Sequence, residues 1–340
     1  MTKAKRILKI IFFGLIGVAI LWFITKGQDV NRIKSEMLGA NLFWIFLSML
    51  AGGISHYIRA LRWNLMINSM GYSTKASSTF NALMTGYLAN LVVPRLGEVT
   101  RCAVLSKKSK IPFNSIAGSV VAERVFDMVC LSLLIFLTIV FQFEFLKDFL
   151  NYYIFTPFVD LINSRIWLFA AIIAAGLIFM VLGYLYFKSV DNENIGLPGK
   201  IKRQLKGFWN GMLSLAYIEH KPRFVVHTVL IWGLYFMMVY LSFLAIEATA
   251  TLGLSGALTV LALGSLGIVA PVPGGIGAYH FIVITTLTQL FGVEAESATS
   301  YAVLAHASQM VLVLILGGWA WFALSASDKN FKITESANTE

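Results

Sequence analysis

Asn90, Arg95, Glu98 and Arg101 surround a chain break marked by Pro94 and Gly97, inside a segment that is otherwise apolar from Ser77 onward. Proline removes a backbone donor and glycine permits positive φ, so amides, carbonyls and charged side chains gather where such a helix breaks. Arg95 and Arg101 could hold a phosphate through charge-assisted hydrogen bonds, with Glu98 placed to orient an arginine or to receive a cationic group. The structural alternative has both arginines meeting anionic headgroups at an interface while Glu98 pairs with one of them. Further along, Glu123, Arg124 and Asp127 stand near the start of another apolar run. Their spacing puts the two acids on one helical face and Arg124 within reach of Asp127. Ionisable groups in a membrane segment usually face the protein interior or a wet cavity, whereas a boundary ion pair would be purely structural. A third group, Pro271, Pro273, Gly274, Gly275 and Gly277, interrupts a second apolar segment and is followed by Tyr279 and His280. Its amides could cup an anion, as a helix N-terminus does; equally, it could be a tight turn between packed helices.

The elements that carry these residues must lie in a membrane. Of 340 residues, 58% are hydrophobic and only 13% charged, with several apolar runs near the roughly 20 residues a helical span requires. The net charge of +10 comes from Lys and Arg in short loops beside the apolar runs, which reports topology and not nucleic-acid binding. Cys102 and Cys130 have no spacing that suggests a disulfide or a metal site. No phosphate-cradling or HExxH motif occurs, so no cofactor, metal or catalytic residue is expected.

Charge bias orders the segments. Full spans are expected at about Ile7–Thr25, Asn41–Ile58, Gly118–Gln142, Ile166–Phe187, Phe224–Ile246 and Ser300–Leu324, with both termini in the cytoplasm. Arg59, Arg62 and Trp63 read as the ordinary basic and aromatic end of a span. Basic residues on both sides of Ser77–Glu98 make it a re-entrant hairpin from the cytoplasm, allowed where irregular backbone is buried in protein or lines a cavity. Residues 255–292 have acidic flanks on both sides, which favours a hairpin from outside; two short spans would preserve the same parity. The expected fold is therefore all-α: six full spans plus two broken hairpins in an inverted repeat, the arrangement of alternating-access carriers. Residues 1–326 form the membrane domain and 327–340 a polar cytoplasmic tail. Lys200–Ala216 reads as an amphipathic helix on the cytoplasmic leaflet, which argues for anionic lipid nearby. His56, His227 and His306 read as hydrogen-bonded core histidines, and His280 as the exception worth testing.

Taken together, Gly86 through Arg101, Glu123-Arg124 with Asp127, and Pro271 through Gly277 resemble the membrane domain of the lysylphosphatidylglycerol synthase and flippase-like family, over about residues 40–325. The resemblance implies a polytopic membrane protein associated with moving lipids between leaflets. By motif it carries a headgroup role onto Asn90, Arg95, Glu98, Arg101, Glu123, Arg124, Asp127, Pro273, Gly274, Gly275 and Gly277, with His280 where the family often has glutamate. The aminoacyl transferase domain of complete synthases is not expected here, so neither is synthase activity. The function that follows is translocation of a phosphate-bearing lipid in the cytoplasmic membrane, with anionic lipids as partners and no nucleic acid. The rivals are a membrane enzyme acting on a phospholipid or polyprenyl phosphate, with Glu98 or Asp127 as base, and an accessory subunit of a separate lipid- or glycan-modifying enzyme.

Overall fold

The structure, a computed structural model, describes residues 25–152 apart from Pro94 and residues 206–337 apart from Met212 and Pro271, with scattered positions elsewhere. The expected spans Ile7–Thr25 and Ile166–Phe187 lie outside the described residues, as does the start of the amphipathic segment at Lys200. The described residues are helical, with no strand among them. In chain order the helices are α1 (Val30–Gly39), α2 (Leu42–Asn68), α3 (Ala76–Val92), α4 (Leu96–Ser109), α5 (Phe113–Phe141), α6 (Phe143–Leu150), α7 (Lys221–Phe243), α8 (Glu247–Ala250), α9 (Gly253–Val269), α10 (Ala278–Phe291) and α11 (Ala295–Ala337). Among them α2, α5, α7 and α11 are long and apolar enough to cross a bilayer. Val125, Met128, Leu133, Phe136 and Val140 form an exposed apolar stripe on α5. A surface of that kind suits hydrocarbon and would be costly in water.

α2 and α7 pack along their lengths, and their contacts run in opposite order. The Asn41 amide donates to the Ala245 carbonyl at 2.9 Å and Ser48 Oγ to the Met238 carbonyl at 3.0 Å. At the other end, Arg62 Nη1 reaches Thr228 Oγ1 at 3.3 Å. The two helices are therefore antiparallel. One end of the molecule carries Lys75, Lys107, Lys108, Lys110, Lys221 and Arg223, and the opposite end Glu36, Glu247, Glu294 and Glu296; these are the basic and the acidic end below.

α3 with α4, and α9 with α10, are helical hairpins entering from opposite ends. Their helices of 17 and 14 residues are about 25 and 21 Å long, short of the roughly 30 Å hydrocarbon core. Glycine sets the approach of each pair. A Cβ on Gly97 would sit 2.2 Å from the Gly86 carbonyl oxygen, and one on Gly267 2.6 Å from Tyr279 Cα. The tips meet: a Cβ on Gly274 would lie 3.2 Å from Leu91 Cδ2 and 3.8 Å from Met310 Cε. Met310 stands about 22 Å along α11 from its start at Ala295, near the middle of the apolar stretch Ala295–Ala326. This favours the hairpin over two complete spans for residues 255–292.

Exchanging α2, α3, α4, α5 with α7, α9, α10, α11 maps the main packing onto itself. α2–α3 becomes α7–α9, α4–α5 becomes α10–α11, and α3–α11 becomes α9–α5, all of them packed pairs. With α2 and α7 antiparallel, this is the inverted repeat of the expectation. One boundary differs. α2 does not leave the membrane at Ile58 but continues to Asn68, with Arg59 6% and Arg62 0% exposed. They are not interfacial anchors, because carboxylates on α5 compensate them inside the protein.

Candidate functional site

The i and i+3 spacing of Arg59 and Arg62 on α2 faces the i and i+4 spacing of Glu123 and Asp127 on α5. Arg59 Nε donates to Glu123 Oε1 at 2.7 Å, and its Nη2 pairs with Asp127 Oδ2. Arg62 Nη2 donates to Asp127 Oδ1 at 2.6 Å and lies 3.5 Å from Glu123 Oε1. From α4, Arg101 Nη1 donates to Glu123 Oε2 at 2.9 Å. α7 closes the group: Arg59 Nη1 donates to the Tyr235 hydroxyl at 3.0 Å and Arg62 to Thr228. Trp63 lies beneath Arg101, 5.0 Å from guanidinium carbon to ring centroid, and is itself fixed by donating Nε1–H to Ser119 Oγ at 3.1 Å. The charged residues sit about 9 to 21 Å in from the basic end, counted along α2, α4 and α5.

A charge buried this far from water is stable only when paired and hydrogen-bonded, which is why four helices contribute. Glu123 is 1% exposed and is the hub, touched by three arginines. Arg124 does not pair with Asp127, its neighbour in the helix. It turns to α4, where Nη2 donates to Glu98 Oε1 at 3.0 Å. Glu98 thus serves Arg124 rather than Arg95 or Arg101.

The remaining candidates on the first hairpin divide. Asn90 is spent on architecture, since its Oδ1 accepts the Gly97 amide at 2.6 Å across the break between α3 and α4. Arg95 holds the left-handed conformation, φ 60°, at the start of α4; it is exposed, with no ion-pair partner among the described residues. A positive φ at a residue other than glycine is uncommon and gathers at functional or strained positions.

At the second tip, Gly274, Gly275 and Gly277 have φ of 57°, 78° and 86°, values at which any Cβ would be strained. The Gly275 amide donates to Val272, the Ile276 amide to Pro273 and the Gly277 amide to His280 Nδ1. These three amides are consumed within the turn and do not form an open anion cup. Pro273 is buried at the start of this turn. His280 is 4% exposed and caps α10. His306 is a buried, hydrogen-bonded histidine, as expected: its Nε2 is 2.8 Å from the Gly274 carbonyl oxygen, and its ring lies 5.0 Å from Tyr279 and 4.9 Å from His280. A tether from a long helix to the hairpin tip is thus present that no local motif announced. The cysteines are free thiols, and no metal-binding cluster occurs among the described residues.

A UPF0104 membrane protein of Pyrococcus horikoshii is 22% identical over 320 residues, covering 89% of this chain and 94% of the relative. One of Methanocaldococcus jannaschii is 23% identical over 335 residues, 93% of each chain. Glycosyltransferase AglD of Haloferax volcanii is 23% identical over 347 residues, which cover 92% of this chain and 54% of that protein. The family model described as the lysylphosphatidylglycerol synthase TM region matches residues 7–317, and the chain is a member of that family of multi-pass membrane proteins.

Proposed function

We propose that this protein moves the headgroup of a phosphate-bearing lipid between the leaflets of the cytoplasmic membrane. The observation that carries this reading is the meeting of two opposed hairpins, Leu91 against Gly274, beside Met310 near the middle of the apolar stretch of α11. Hairpins related by an inverted repeat give a barrier that one half can open while the other keeps it closed. Glycine crossings at Gly86 with Gly97 and at Gly267 with Tyr279 let each hairpin move as a unit. The exposed Arg95 at the first tip offers an unpaired guanidinium to a phosphate. The basic end faces the cytoplasm by the positive-inside bias, which puts both termini there.

The test is leaflet exchange of labelled anionic, zwitterionic and polyprenyl-phosphate lipids in proteoliposomes, comparing intact protein, Arg95→Ala and protein-free vesicles. Exchange of one headgroup class that drops with Arg95→Ala supports the proposal. Exchange no faster than in empty vesicles, with folded protein present, refutes it. A second reading draws on Glycosyltransferase AglD, where a matching region is about half of a longer chain: this protein would position a separate lipid- or glycan-modifying enzyme. Stoichiometric co-purification with such an enzyme, without lipid exchange, would favour it. The carboxylates that a membrane enzyme would use as base are both engaged by arginines, Asp127 by Arg59 and Arg62, Glu98 by Arg124.

A further inference from the structure

The buried cluster does not balance. Among the described residues Arg59, Arg62 and Arg101 face Glu123 and Asp127, and the nearby Arg124 and Glu98 cancel one another, so one positive charge is left over. Arg101 is 1% exposed and spends only Nη1, on Glu123; its Nε and Nη2 have no acceptor among the described residues. Arg62, 0% exposed, likewise leaves Nε without one. The Nε–Nη2 edge is the side of a guanidinium that presents two parallel N–H groups, the fork that matches two oxygens of one oxyanion. The guanidinium carbon stands over the Trp63 ring, 5.0 Å from its centroid. On α3, Gly86 comes close enough that its Cβ would sit 3.0 Å from Arg101 Cβ, and the preceding Thr85 has a buried hydroxyl with no partner. Donors left unspent so deep in a protein are costly unless something accepts from them.

We propose that Arg101, with Arg62 behind it, forms a buried binding site for a singly charged phosphate, either the phosphodiester of a lipid headgroup or free dihydrogen phosphate. One ligand charge neutralises the surplus; a dianion would overshoot it. The fork favours an oxyanion over a halide, because a single chloride meets both N–H groups only along converging, bent hydrogen bonds, whereas two oxygens take them in parallel. The charge count does not depend on the translocation reading, so a protein that exchanges no lipid would still bind phosphate here.

The experiment is thermal unfolding of the full chain in a neutral detergent, titrated separately with inorganic phosphate, short-chain phosphatidylglycerol, the matching phosphate-free diacylglycerol, and chloride at equal ionic strength. A saturable rise in Tm with phosphatidylglycerol alone assigns the site to a lipid, and a rise with phosphate as well assigns it to the shared group. Arg101→Gln removes the surplus charge and Arg101→Lys keeps the charge but loses the fork. Each is expected to raise the half-saturating concentration by roughly tenfold or more, as loss of a bidentate charge-assisted pair does, and the lysine variant serves if the glutamine variant does not fold. No rise with phosphate or phosphatidylglycerol, an equal rise with chloride or diacylglycerol, or wild-type titrations in both variants would overturn the proposal.

Discussion

Replacing Glu123 with Gln tests the cluster at its hub. The change keeps shape but removes the carboxylate that Arg59, Arg101 and Arg62 contact at 2.7, 2.9 and 3.5 Å, leaving three buried guanidinium groups against Asp127 alone. Breaking a buried pair by removing one partner costs about 3–5 kcal/mol, and no discount for solvent screening applies where Glu123 and Arg101 are each 1% exposed. Removing Arg101 is a different operation. Glu123 keeps Arg59 and Arg62, and the surplus charge disappears, so Arg101→Gln should cost less, at most about 1.5–3 kcal/mol, the net worth of one hydrogen bond to a charged group. The double variant should be more stable than Glu123→Gln alone, because the second change relieves the repulsion that the first creates. Reversible unfolding in mixed detergent micelles at a series of sodium dodecyl sulfate fractions, followed by circular dichroism, gives all three differences as a double-mutant cycle. Equal costs for the two single variants, or a double variant worse than Glu123→Gln, would refute the charge count.

Three further outcomes follow from the hairpins. Gly97→Ala places a Cβ 2.2 Å from the Gly86 carbonyl oxygen and 2.6 Å from the Asn90 amide group; this overpacking should cost about 1–3 kcal/mol in the same unfolding assay. In a protein whose Cys102 and Cys130 are serine, Leu91→Cys with Gly274→Cys should be joined by a short thiol cross-linker, and the joined protein should lose lipid exchange that reduction restores; full exchange in the joined form would show that the tips need not part. Cysteine at Lys108 should react with an impermeant reagent only from the cytoplasm and cysteine at Glu294 only from outside, the reverse pattern contradicting the orientation. Glu294 is the better outer reporter, its side chain 63% exposed, whereas Ser297 is 2% exposed and bonded to Glu36.

What could be read from the sequence was whatever breaks or interrupts an apolar run. Pro94 and Gly97, Pro273 to Gly277, and the acids Glu123 and Asp127 stand out because their types are unusual inside a membrane, and so the hairpins and one side of the ion cluster were visible. Arg59 and Arg62 were not, because a basic pair followed by Trp63 looks the same whether a helix stops there or continues. Their partner Glu123 lies 64 and 61 positions further along the chain, beyond any local pattern. The available signal was complementary spacing, two cations at i and i+3 in one run and two acids at i and i+4 in another. Arg124 misled in the opposite direction: its proximity in sequence to Asp127 suggested a local pair, whereas α4 offers it Glu98. His306 reads correctly as a hydrogen-bonded core histidine, but its partner at the hairpin tip is the Gly274 backbone carbonyl, which no side-chain pattern records.

The two repeats share a packing plan but not a chemistry, and that difference bears on direction. Five residues into α4 stands Arg101, and five residues into α10 stands Val283, each fully buried. Ten residues into α5 stands Glu123, and ten into α11 stands Ala305. The half near the basic end is therefore closed by ion pairs. Near the acidic end the corresponding core is Phe243, Val260, Val283, Leu287 and Tyr301, which no single headgroup can replace contact for contact. An anionic headgroup can be accepted among the arginines of the first half without displacing a carboxylate, on the unspent Nε–Nη2 fork of Arg101. At the acidic end it meets a cavity of about 530 Å3 lined by Glu36, Glu247 and Glu294, with Arg32 already held by Glu294 and Glu36. Like charge there opposes retention. Under the proposed translocation, capture at one end and release at the other would require no second anion site, and Glu247→Gln or Glu294→Gln should slow lipid exchange in proteoliposomes without weakening the binding of phosphate at Arg101.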